Sequence, residues 1–126
     1  MKLKGYVALT AVLVMIPLLL ITGINSVYSN LTTLLVGKMN YDYELVKLNG
    51  KTCLEESVYK IKWDPTFTGT VILDIDNWYC ISNISNKPGE PGVKIIDMQI
   101  SDLNDIERNV IKELNTNTNP FELRNP

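Results

Sequence analysis

The feature that most constrains this chain is a charge-free apolar segment near its N-terminus. No charged residue lies between Lys4 and Lys38, and residues 6–24 within that gap are almost wholly apolar. A helix of nineteen residues rises about 28 Å, which matches a hydrocarbon core about 30 Å thick. Eleven of these residues are Val, Leu or Ile, and each favours insertion by about 0.3–0.6 kcal/mol near the helix centre. The segment predicts a transmembrane helix, anchored by Val7, Leu9, Leu13, Ile16, Leu19 and Ile21.

The flanks of this segment predict its orientation. Lys2 and Lys4 precede it, and positive charge favours the cytoplasmic side. The chain is therefore expected to cross the cytoplasmic (inner) membrane once, with its N-terminus in the cytoplasm and its C-terminal domain outside. Pro17 is expected to bend the helix rather than end it, because neighbouring groups can satisfy the freed carbonyl.

Three kinds of apolar N-terminal segment fit this pattern. A cleaved secretory signal has a shorter apolar stretch of about 7–15 residues followed by small residues, and here the only such site is Val27-Tyr28-Ser29. An uncleaved signal anchor is the second interpretation. The third is a leader that is removed in front of the apolar helix, so that the anchor remains.

Composition excludes several function classes. The chain has no histidine, which removes the commonest general base and the usual imidazole zinc ligands. Its net charge is −2, and no run of Lys or Arg occurs along the sequence, which is unfavourable for binding nucleic acid. We therefore expect no enzyme activity, no cofactor, no metal site, no small-molecule substrate and no nucleic-acid partner.

The rest of the chain predicts one helix followed by strands. Apolar residues at three- and four-residue steps extend the helix over residues 25–63, with weak points at Gly37 and Asn49-Gly50. Asp64-Pro65 ends it, because a residue before proline avoids the helical conformation. Alternating apolar residues predict strands at 70–75, 78–84 and 93–101.

Residues 105–114 fit either a helix face or a closing strand, and a strand is the preferred interpretation. The Asn-, Thr- and Pro-rich residues 115–126 are expected to be a flexible tail. The predicted class is α+β: a long N-terminal helix, membrane-embedded in its first half, packed on a small antiparallel sheet of three to four strands within residues 64–114.

The leader Met1-Lys2-Leu3-Lys4-Gly5, followed by Tyr6 and an apolar helix, resembles the signal of type IV prepilins. In that family a membrane peptidase cuts after the glycine and methylates the new N-terminus. The resemblance implies that residues 1–5 are a leader, that prepilin peptidase cuts between Gly5 and Tyr6, and that residues 6–24 are retained as the anchor.

A second stretch resembles a group of bacterial minor pilins. Those subunits have a Cys-x-Glu-Glu turn late in the helix and a Pro-x-Phe/Tyr-Thr-Gly loop, here Cys53-Leu54-Glu55-Glu56 and Pro65-Thr66-Phe67-Thr68-Gly69. A strand carrying a second cysteine follows, here Cys80. Major pilins carry glutamate at the fifth mature position, where it neutralises a neighbour's amine, whereas this chain has Thr10. The resemblance therefore implies a minor, tip, initiating or regulatory subunit.

Cys53 and Cys80 are expected to form a disulfide, because the predicted orientation puts both in an oxidising compartment. Two unpaired buried thiols are the alternative. The predicted function is a non-catalytic assembly subunit, a minor pilin or pseudopilin of a type IV pilus-like filament or a type II secretion-like system. Its expected partners are the membrane and other pilin subunits, and its location after assembly is the cell surface or pilus. The alternative is a membrane-anchored extracytoplasmic binding module that does not polymerise.

Overall fold

The computed structural model describes residues 2–126, with side chains from residue 4 onward, so Met1 of the predicted leader lies outside the described residues. The described elements are one helix and five strands: α1 Lys2–Trp63, β1 Gly69–Ile75, β2 Trp78–Asn86, β3 Val93–Asp102, β4 Glu107–Asn115 and β5 Glu122–Arg124. The chain divides into an N-terminal unit that ends at Tyr41 and a second unit, Asp42–Pro126.

The sheet is antiparallel throughout, and its strands lie side by side in chain order, from β1 to β5. The predicted α+β class is confirmed. Residues 107–115 form a strand, in agreement with the strand interpretation of residues 105–114. The strand count is higher than the three or four expected. The additional strand is β5, which lies in the segment predicted to be a tail and pairs with the last three residues of β4.

The second unit is held together where α1 lies against the sheet. Its core contains three helix residues and residues from β1 to β4: Val46, Cys53, Ile61, Val71, Cys80, Ile84, Ile96, Met98, Ile100 and Leu114. Four residues of a helix rise about 6.0 Å and two residues of a strand about 6.6 Å. Contacts between α1 and β2 can therefore recur every four residues of the helix and every two residues of the strand. Cys53 is bonded to Cys80, and one step further Ser57 contacts Ser82.

The Ser57–Ser82 contact is a buried polar pair inside this core. Both side chains are fully buried, and the Ser57 hydroxyl lies 2.9 Å from the Cys53 carbonyl oxygen and 2.7 Å from the Ser82 hydroxyl. The Ser57 hydroxyl proton can be donated to only one of these two acceptors. When it is donated to the Cys53 carbonyl, the Ser82 hydroxyl can donate to Ser57 instead. The pair therefore fixes the register of α1 against β2 without leaving an orphaned buried polar atom.

Replacing Ser57 by alanine should lower the free energy of unfolding by about 1–3 kcal/mol, because the buried Ser82 hydroxyl would lose its partner. The Ser57→Ala/Ser82→Ala double variant should lose less than the sum of the two single variants. Chemical denaturation of the four proteins measures this coupling. Ser85→Ala, at an exposed position of the same strand, is the control and should change stability by less than about 0.5 kcal/mol. Strictly additive losses would contradict a shared hydrogen bond.

Asn49-Gly50, a predicted weak point of the helix, lies within an unbroken α1. A methyl group added to Gly50 would lie 3.5 Å from Cδ1 of Ile100, which is an ordinary van der Waals distance. Gly50 is buried against β3, so tertiary packing of this part of α1 outweighs the low helix propensity of glycine. Gly37 and Pro17 also lie within α1.

The start of the C-terminal segment is attached to the loop between β2 and β3. Thr116 N and Asn117 Nδ2 donate to the carbonyl oxygens of Gly92 and Pro91 at 2.8 and 2.9 Å. Gly92 has a φ of +82°, and a side chain there would collide with the Asn117 carboxamide. These contacts place residues 116–117 so that the chain can return to the sheet as β5.

Candidate functional site

The surface of the N-terminal half of α1 is the main candidate site. This helix is long and apolar enough to cross a membrane, and none of its most apolar 18-residue window is buried. The six predicted anchor residues are 53–70% exposed: Val7, Leu9, Leu13, Ile16, Leu19 and Ile21. An apolar surface of this extent needs a lipid or protein environment, because exposing it to water is unfavourable. The helix is therefore a candidate membrane anchor.

The two threonine side chains within residues 6–24 are satisfied by the helix itself. The Thr10 hydroxyl lies 3.0 Å from the carbonyl oxygens of both Tyr6 and Val7. Thr22, twelve residues further along the helix, makes the same pair of contacts with the carbonyls of Leu18 and Leu19. Because these hydroxyls donate within their own helix, they add little to the cost of placing the segment in lipid.

The predicted cleavage site is exposed on this helix. Tyr6 is 67% exposed, and nothing lies within 4 Å of the position that a side chain on Gly5 would occupy. The Gly5–Tyr6 peptide bond lies within α1, so a peptidase would have to open this turn to cut it. Helix termini separate readily, since their first N–H groups have no partner within the helix.

The predicted disulfide between Cys53 and Cys80 is present in the structure. Cys53 and Cys80 form a disulfide across 27 residues of sequence, with their Cα atoms 6.3 Å apart. Both cysteines are fully buried. The bond links the helix to β2 in the middle of the core, which makes it a structural element.

Two local networks hold the connections around the sheet. Lys87 Nζ lies 2.7 Å from Glu90 and 3.1 Å from Glu113, and the bonds to these two carboxylates raise the pKa of Lys87 above its ordinary value. After the helix ends, Asp64 accepts hydrogen bonds from the hydroxyl and the amide of Thr66, which lower the pKa of the Asp64 carboxyl. These groups order loops and do not converge on a cavity.

The structure brings together a cluster of cations that was not predicted from the sequence. A cleft of about 170 Å³ between α1 and β4 is lined by eight residues, four of them basic: Lys47, Gly50, Lys51, Leu54, Met98, Arg108, Val110 and Lys112. The basic residues come from two stretches of chain more than fifty residues apart, so no run of charge marks them in the sequence. The only signal available was the i, i+4 spacing of Lys47 with Lys51 and of Arg108 with Lys112.

An apolar groove lies next to this cleft. It measures about 420 Å³ and lies between the later turns of α1 and the β5 edge, where its walls include Leu54, Val58, Leu114 and Phe121. Within residues 4–126, no group of three or more His, Cys, Asp or Glu side chains is placed to hold a metal ion.

Comparison of the chain with protein-family models, with curated proteins and with solved structures gives no match.

Proposed function

We propose that this chain is a non-catalytic assembly subunit of the minor pilin or pseudopilin type. It would be anchored in the cytoplasmic membrane by residues 6–24, and its disulfide-linked domain would lie outside. The observation that carries the proposal is one unbroken helix, Lys2–Trp63, whose first part is apolar and not buried and whose last part contributes to the core of an α+β domain. A helix of this kind can serve first as an anchor and then as a contact between subunits.

The exposed apolar surface continues beyond the predicted membrane segment. Val27 and Leu31 are four residues apart, Leu34 and Leu35 follow Leu31 by three and four residues, and all four side chains are 53–70% exposed. Nineteen residues suffice to cross the hydrocarbon core, so these further residues are available to pack against other helices. Residues spaced in this way lie on one face of a helix, which is the geometry of helix–helix packing. This supports an assembly role over a plain anchor.

Thr10 favours a minor over a major subunit. Its hydroxyl contacts carbonyl oxygens of its own helix and carries no charge. It cannot offset the positive amine of a neighbouring subunit, and an unpaired charge in an apolar bundle is costly. A subunit that occurs once or a few times in an assembly would meet this cost less often than one that is stacked repeatedly.

The test is the N-terminus of the mature chain in cells with and without prepilin peptidase. Intact-mass analysis should show a chain that begins at a methylated Tyr6 only when the peptidase is present. Gly5→Val should abolish this product, whereas Gly23→Val, a matched change further along the same helix, should leave processing intact. A mature chain that begins at Met1 would leave the non-polymerising membrane module as the function, and one that begins at Asn30 would show cleavage by signal peptidase.

A further inference from the structure

The edge of β4 is open over most of its length. β5 pairs only with Glu113, Leu114 and Asn115, so residues 107–112 have β3 on one side and no strand on the other. Every second residue of such a stretch directs its N–H and C=O groups away from the sheet. In the part of the chain that the structure describes, no other backbone segment bonds to these groups. An edge of this kind is a template for an additional extended chain.

Positive charge surrounds this open edge. Arg108 and Lys112 project from β4 on the side that faces α1, since their neighbours on β3, Ile100 and Ile96, are core residues. Lys47 and Lys51 project from α1 into the same cleft. The chain as a whole has a net charge of −2, so this concentration of four cations is local.

The cations of this cluster form few ion pairs. Lys47 lies 3.5 Å from Glu44, and both side chains are exposed. Among residues 4–126, Lys51, Arg108 and Lys112 form no ion pair. The Arg108 guanidinium instead lies over the Tyr43 ring at 5.5 Å, and Lys112 Nζ donates to the side-chain oxygen of Asn125. The cluster can therefore accept acidic groups without breaking a carboxylate pair other than the exposed Lys47–Glu44 contact.

We propose that this edge binds an extended acidic segment of a partner protein, which adds to β4 as a further strand. Backbone hydrogen bonds to residues 107–112 would provide affinity, and the flanking side chains would provide specificity. This inference does not depend on prepilin processing, because a chain that kept Met1 would present the same edge.

The structure also specifies which sequence fits. Arg108, Val110 and Lys112 occupy alternate positions on one face of β4, so three alternate residues of the added strand would lie beside them. The residue beside Lys112 would displace Asn125, which follows β5 and whose side chain contacts Lys112. Opposite charges favour acidic residues beside Arg108 and Lys112, and the apolar floor formed by Leu54 and Met98 favours an apolar residue beside Val110. The recognised pattern is acidic-x-apolar-x-acidic. Because this pattern is symmetric, it holds for a strand of either direction.

A peptide fits this edge better than a phosphate polymer does. The open edge presents carbonyl oxygens as well as N–H groups, and the carbonyls need hydrogen-bond donors. Phosphate groups supply acceptors alone, whereas a peptide backbone supplies both. Four cations lining an apolar cleft attract any polyanion, so the backbone pairing is what distinguishes the two kinds of ligand.

The test uses the full-length chain in lipid nanodiscs and a fluorescent nine-residue peptide with the sequence pattern acidic-x-apolar-x-acidic at its centre. Fluorescence anisotropy should show binding that weakens with salt. Lys51→Glu and Lys112→Glu should each weaken it by roughly tenfold, because each replaces an attraction with a repulsion. Lys60→Glu makes the same charge change at an exposed position of α1 outside the cleft, and it should leave affinity within about twofold.

Two further peptides separate strand addition from simple charge attraction. One has the same composition in scrambled order, and the other carries N-methyl groups on alternate backbone amides. Both should bind at least about tenfold more weakly than the parent peptide, and only the parent should slow hydrogen exchange at residues 107–112. Absence of binding by the parent, equal binding of the three peptides, or tighter binding of inorganic polyphosphate than of the parent at equal charge concentration would overturn the proposal.

Discussion

Replacing Leu13 and Ile16 together by arginine should abolish stable membrane insertion of this chain. The eleven Val, Leu and Ile residues of segment 6–24 favour insertion by about 3–7 kcal/mol in total, and each arginine near the helix centre costs about 2.5–3.5 kcal/mol. Both positions are more than half exposed, so no other part of the described structure would shield the new charges. The expected result is loss of the chain from the carbonate-resistant membrane fraction.

The matched control adds the same charge to the same helix outside the predicted span. Leu48 and Tyr59 are 60% and 54% exposed, and both lie more than 20 residues beyond Ile24. Leu48→Arg/Tyr59→Arg should remain in the membrane fraction. If both double variants stay in the membrane fraction, residues 6–24 do not insert in lipid. If both are lost from the membrane fraction, the added charge acts through misfolding rather than through the bilayer.

Removing the disulfide should produce the largest loss of stability in the folded domain. A cross-link between Cys53 and Cys80 closes 27 residues of sequence, which on the chain-entropy model stabilises the fold by about 3.5 kcal/mol. For a domain of this size, the loss corresponds to a melting temperature lower by roughly 15 °C or more. Cys53→Ala/Cys80→Ala, measured by thermal and denaturant unfolding of the full chain, should show this decrease.

Comparing oxidised with reduced wild-type protein separates the stabilising effect of the cross-link from that of side-chain packing. Alanine also removes two buried sulfur atoms, so part of the decrease comes from lost contacts. Wild-type protein unfolded in the presence of a reductant retains those atoms and loses only the bond. The reduced wild type should therefore lie between the oxidised protein and the double-alanine variant. Equal stability of the oxidised and reduced protein would contradict a stabilising role for the bond.

The sequence predicted the elements whose signal is local. The end of the helix at Trp63 follows from Asp64-Pro65, and the first three strands show alternating apolar residues that are visible without any tertiary information. The candidate membrane anchor follows from length and composition alone. The two cysteines were paired correctly because the chain contains no others.

The features that were missed depend on contacts between distant parts of the chain. β5 is three exposed residues long, so it has no apolar alternation and forms only because β4 offers an edge. The helix runs through Asn49-Gly50, where both residues are buried against the sheet, and local propensity does not reveal this burial. The cation cluster forms when α1 is laid against β4, and each stretch alone looks like an ordinary solvated surface.

The location of the domain relative to the membrane is the central claim, and one measurement tests it directly. Spheroplasts that express the native chain are treated with an external protease, and the peptides that remain in the membrane are identified by mass spectrometry. The account predicts that a fragment containing residues 6–24 survives while Asp42–Pro126 is degraded or released. A fully protected chain, or a chain recovered intact from the soluble fraction of unbroken cells, would contradict it.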